Sequence, residues 1–114
     1  MANAIGDGER ISLSKLDTRV LIALLSGRMS GYEIKMACEK DLGWPVGNGT
    51  LFPALSRLER SHCIEEVQSA TGGPGRPRRT YITTATGREV LAWEVADMQT
   101  LAKLASDRRH MRTC

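Results

Sequence analysis

Three arginines crowd into "GGPGRPRRTY" at 72–81, a stretch that also holds two prolines and three glycines. Arg76, Arg78 and Arg79 have no carboxylate near them between Gly72 and Thr86. Glycine and proline at this density cannot continue a helix, and three guanidinium groups cannot be core. Pro74 and Pro77 stiffen the loop, so the cations are held out rather than collapsed. Contact with a phosphate backbone, or insertion into a minor groove, is the chemistry such a loop suits. The bland alternative is a solubilising basic turn.

A second set lies in "NGTLFPALSRLERS" at 48–61, where Leu51, Leu55 and Leu58 recur at i, i+4 and i+7. That spacing is the buried stripe of a helix. Its other face is expected to present Thr50, Pro53, Ala54 and Arg57. Arg57 suits a bidentate contact to a guanine edge, and the methyls of Thr50 and Ala54 suit a thymine methyl. Gly49 admits close backbone approach, and the free amides at the helix start suit a phosphate. The competing reading makes Arg57 a surface cation paired with a nearby carboxylate.

Catalytic chemistry finds little support. There are two histidines, no phosphate-binding loop, no zinc spacing and no Ser–His–Asp set on plausible elements. Cys38, Cys63 and Cys114 form no C-x-x-C pair and read as reduced thiols. Cys63 follows His62, and a neighbouring imidazolium would lower its pKa, so an oxidation-sensitive switch at Cys63 is one regulatory reading. No cofactor is expected.

The elements that position these residues follow in order. "SKLD" at 14–17 makes Ser14 an N-cap and opens a helix through about Ser26. Its apolar residues Leu16, Val20, Leu21, Ile22, Leu24 and Leu25 wrap most of the circumference, which predicts a sandwiched helix. "GRMS" breaks it. "SGYE" at 30–33 is a second capping box, for a helix through about Leu42. The helix at 48–61 follows, then strands at about 64–69 and 79–83 joined by the arginine loop, then a helix from "TATG" at 84–87 to roughly Arg108.

Three helices and a β-hairpin in this order make a winged helix-turn-helix, with the arginine loop as wing. The fold class is mainly α with a small β-hairpin (α+β), followed by a long C-terminal dimerisation helix. The expected division is 1–13 as a flexible N-terminal segment, 14–83 as a winged-helix DNA-binding domain, 84–108 as the dimerisation helix and 109–114 as a tail.

In the last helix Leu91, Val95, Met98, Ala102 and Ala105 recur at spacings of 4, 3, 4 and 3, a coiled-coil-like seam. A second stripe, Val90, Trp93, Leu101 and Leu104, lies beside it. One domain covers one stripe, so the second calls for another copy of the chain. Leu21 and Leu25 of the first helix complete the expected interface. Trp93, on the stripe beside the seam, and Met98, in it, are the candidates for stacking on a flat aromatic effector, ordinary packing of Trp93 against the first helix being the alternative.

Charge and hydropathy are compatible with this. The net charge of +3 permits a nucleic-acid partner. The apolar run "VLIALL" at 20–25 is too short for a bilayer, and the N-terminus lacks the pattern of a signal peptide, so a cytoplasmic protein without membrane partners is expected.

"GYEI" at 31–34, "GTLFPALSRLE" at 49–59, and "GRPRRTY" leading into "TATG" together resemble the PadR-like transcriptional regulators over about residues 18–95. The resemblance implies a dimeric repressor on a pseudo-palindromic operator, dimerised through its C-terminal helix, with an interface that binds aromatic or drug-like effectors in some members. It also brings Ser30 and Tyr32 into the candidate DNA-binding set. Phe52 stands where the family usually has Tyr, removing a hydroxyl. His62 occupies the place of a helix-ending glycine, a position that favours left-handed backbone. Ile82 replaces a basic residue of the second strand. A protein–protein interaction module built on the same fold, which need not keep three wing arginines, is the alternative.

Overall fold

The computed structural model describes residues 12–68 and 79–112. Helix α1 spans Lys15–Leu24 and starts on a reciprocal cap. Ser14 Oγ accepts from the Asp17 amide at 3.0 Å, and Asp17 Oδ2 accepts from the Ser14 amide at 3.2 Å. Helix α2, Gly31–Leu42, repeats the device: Ser30 Oγ accepts from the Glu33 amide and Glu33 Oε1 from the Ser30 amide. It ends on Gly43 at φ 82°, a left-handed conformation open to glycine without a Cβ penalty.

Helix α3 covers Asn48–Arg60. It closes with paired bonds from the Cys63 amide to the Leu58 carbonyl and from the His62 amide to the Glu59 carbonyl, with His62 at φ 63°. This is the Schellman arrangement, and the left-handed position falls on His62 as its sequence context predicts.

The strands differ from expectation by one addition. Between α1 and α2, Met29–Ser30 forms strand β1. It pairs antiparallel with β3, Arg79–Thr83, which pairs on its other edge with β2, Ile64–Gln68, giving the order β1-β3-β2. Two residues carry no readable periodicity, so only the partner strand reveals β1. Helix α4 runs Ala85–Arg112, four residues beyond the expected end.

The core gathers Val20, Leu21 and Leu24 of α1, Ile34 of α2, Leu51, Leu55 and Leu58 of α3, Ile64 and Tyr81 of the sheet, and Val90 and Leu91 of α4. Helix α1 thus touches all three other helices. Ile22 and Leu25 nevertheless remain exposed, so α1 is not fully enclosed. Past Val95, α4 leaves the core, and the molecule extends to 67 × 39 × 23 Å. Among the described residues, no helix is long and apolar enough to cross a membrane.

Candidate nucleic-acid interface

Helix α3 buries Leu51, Ala54, Leu55 and Leu58. At about 100° per residue, Ala54 sits within about 60° of both Leu51 and Leu58, inside the buried arc. Ala54 is 0% exposed, so it meets the core and not a base, a correction to the expected face. The outward line runs instead through Gly49, Pro53, Ser56 and Arg60, all exposed, with Phe52 and Arg57 on its flanks. Continuing the helical period one more turn points to Arg60, a cation that the Leu-stripe reading left out. Thr50 is exposed and lies at the lip of a separate cavity of about 220 Å³ lined by Lys15, Leu16, Leu42, Trp44, Pro45 and Val46.

Arg57 pairs with a carboxylate of its own chain. Its Nη2 lies 2.9 Å from Asp17 Oδ1, and the Asp17 side chain is only 6% exposed. One carboxylate therefore caps α1 with one oxygen and anchors α3 with the other. Arg57→Ala removes a charge-assisted bond to a buried acid and is expected to lower stability by about 1.5–3 kcal/mol. Base preference should persist. Urea unfolding and a panel of single-base operator variants measure the two effects. Unchanged stability with relaxed preference at one base would return Arg57 to the groove.

Opposite this flank, an open groove of about 480 Å³ lies between the start of α2, helix α3 and strand β3. Tyr32 and Phe52 line it, both well exposed, with Arg79 and the buried Tyr81. Burial pushes the Tyr81 phenol up from its usual range. Arg79 is exposed, its Nε 3.7 Å from Glu66 Oε2, a pair at the long end of ionic contact. Ser30 also lines this groove, although it is only 5% exposed and its Oγ accepts from the Glu33 amide in the α2 cap. Arg76 and Arg78 lie outside the described residues.

The expected dimer residues divide. Leu21 is 0% exposed and Leu91 5%, both packed in the chain's own core, so neither is available to a partner. Val95 is partly buried against that core. Leu25, Met98, Ala102 and Ala105 are exposed, as are Leu101 and Leu104. Trp93 is partly buried where α4 leaves the core.

The thiol reading is also corrected. Cys63 is 0% exposed, its Sγ 3.9 Å from the Ser61 carbonyl. Burial, and then the Asp17 carboxylate, push the Cys63 pKa up, opposite to what a reactive thiolate needs. Cys38 is likewise buried and pushed up to about 11. Among the described residues, no three His, Cys, Asp or Glu side chains converge on a possible metal site.

Three helices, a three-stranded antiparallel sheet and a long final helix define a winged helix-turn-helix. Residues 20–93 match the Transcriptional regulator PadR-like family, and the chain belongs to it. It is 36% identical over 83 residues to an uncharacterized 37.1 kDa protein in transposon TN4556 of Streptomyces fradiae. That match covers 73% of this chain and 23% of the relative, so the chain spans about a quarter of that protein's length. A PadR-like transcription factor from Bacteroides fragilis is similar in fold, with TM-score 0.72 and 23% identity over 81% of this chain and 87% of that one. Bacillus subtilis PadR in complex with operator DNA gives TM-score 0.63 at 24% identity, over 72% of this chain and 47% of that chain.

Proposed function

We propose that this chain regulates transcription by binding double-stranded DNA as a homodimer, acting as a repressor that a small aromatic ligand relieves. The observation that carries the reading is the exposed face of α3. Gly49, Pro53, Ser56 and Arg60 stand clear of the core, and on the flank of that line Phe52 shares a groove with the exposed Arg79. The family supports it, as does the fold shared with a PadR bound to operator DNA. In this reading residues 14–83 engage DNA and 84–108 join two copies. A two-fold dimer then calls for a pseudo-palindrome with half-sites about one helical turn apart, or a multiple of it. The proposed ligand site is Trp93, partly buried where α4 leaves the core, with the exposed thioether of Met98 further along the same helix.

The wing tests the reading. Replacing Arg76, Arg78 and Arg79 with Ala is expected to weaken binding to specific and random DNA alike. Each lost phosphate contact flattens log K against log salt by about 0.9. A mobility-shift titration with the protein's own promoter region, at several salt concentrations, reads both. Unchanged affinity and slope in the triple variant would reduce the wing to a turn. No retarded species with either DNA for the unaltered protein would refute DNA binding itself.

A further inference from the structure

Phe52 is the one large apolar side chain that α3 leaves exposed, at 50%, whereas Leu51, Leu55 and Leu58 are each within 2% of complete burial. It is the fifth residue of the helix, in the half that enters a major groove in helix-turn-helix proteins. The ring lies over the start of α2, where a Cβ on Gly31 would stand 3.8 Å from Phe52 Cε1. Tyr32, 66% exposed, stands in the same groove, so aromatic rings from two helices line it. Arg79 contributes a cation to that groove, and Arg60 adds another on the outward line of α3.

We infer that Phe52, with Tyr32 beside it, reads the C5 methyl group of a thymine in each half-site. The inference rests on the DNA-binding reading above. Its occupant follows from chemistry. In the major groove each base pair presents hydrogen-bond donors and acceptors, and the C5 methyl of thymine is the distinctive apolar substituent. A phenyl ring offers no hydrogen bond, so it gains free energy only where that methyl stands and loses it where cytosine's amino group takes the adjacent place. The cations in and beside the groove suit phosphates that flank such a base. The hydroxyl absent from Phe52 is, in this arrangement, what makes the contact selective for a methyl.

The test uses the full chain and a duplex that it selects from a random library in the presence of excess competitor DNA. Each thymidine of that duplex is replaced singly by deoxyuridine, which removes the methyl and nothing else. One position per half-site is expected to weaken binding about fourfold, the worth of one buried methyl-sized group. Phe52→Ala should bind the thymidine and deoxyuridine duplexes equally, and Phe52→Leu, which keeps an apolar side chain, should still prefer thymidine. Urea unfolding of both variants verifies that they are folded. If no deoxyuridine position matters to the unaltered protein, or Phe52→Ala stays as sensitive as the unaltered protein, the inference is overturned while DNA binding stands. If the protein binds no DNA at all, the functional reading falls first and this one falls with it.

Discussion

Replacing Gly87 with alanine is expected to lower the unfolding free energy by about 3 kcal/mol, or to prevent folding altogether. Gly87 lies in the first turn of α4 and is buried. A Cβ there would run into the Cys63 carbonyl oxygen and come within 2.6 Å of Thr83 Oγ1. That carbonyl has no freedom to retreat. It accepts from the Thr84 amide at 3.0 Å, while Thr84 Oγ1 donates to the neighbouring His62 carbonyl at 2.6 Å and accepts from the Gly87 amide at 3.0 Å. The end of α3, the start of β2 and the start of α4 thus share one knot of bonds, closed only because residue 87 lacks a side chain. Gly49→Ala is the matched control. It is helical and exposed, with no atom within 4 Å of an added Cβ, so alanine there is neutral or stabilises by up to about 1 kcal/mol. Urea unfolding of the two variants side by side decides the matter. A Gly87→Ala protein as stable as the parent would mean that α4 does not start against Cys63.

What the sequence discloses follows the range of its signals. Both N-caps are local, resting on Ser14 with Asp17 and Ser30 with Glu33, and both are visible as four-residue patterns. His62 is legible for the same reason, since a Schellman turn involves only the six residues from Leu58 to Cys63. Strand β1 is not legible, because its pairing partners, Thr80 and Tyr81, lie some fifty residues further on. The role of Arg57 is hidden likewise, its carboxylate being 40 residues away on another helix. The face of α3 fails in a different manner. A stripe of three leucines fixes the centre of the buried arc and not its width, and Ala54, small and ambivalent, falls within its edge. That same rotation hid Phe52 and Arg60, which become visible once the arc is known.

The largest effect on assembly is expected from Met98→Glu combined with Leu101→Glu. In one chain the apolar stripes of α4 are covered only at their start, where Val90 and Leu91 are buried and Val95 rests against the core. From there outward Met98 is 39% exposed, Leu101 57% and Leu104 48%, with Ala102 and Ala105 bare between them. Ile22 of α1 and Leu25, its C-cap, add a further exposed apolar pair. Surface of this kind, running along a projecting helix, is what a second copy would cover. Two glutamates placed there are solvated in a monomer, so the winged helix should fold as before. In a two-fold dimer covering both stripes they would bring four carboxylates into one interface without partners. The variant is therefore expected to sediment as a folded monomer and to bind a two-half-site operator at least about a hundredfold more weakly, since linked half-site binding is lost. Val95→Glu provides the contrast: that position is shared with the chain's own core, so it should lower stability as well as association. A double variant that sediments as a dimer at the concentration where the unaltered protein does would place the interface elsewhere on the chain.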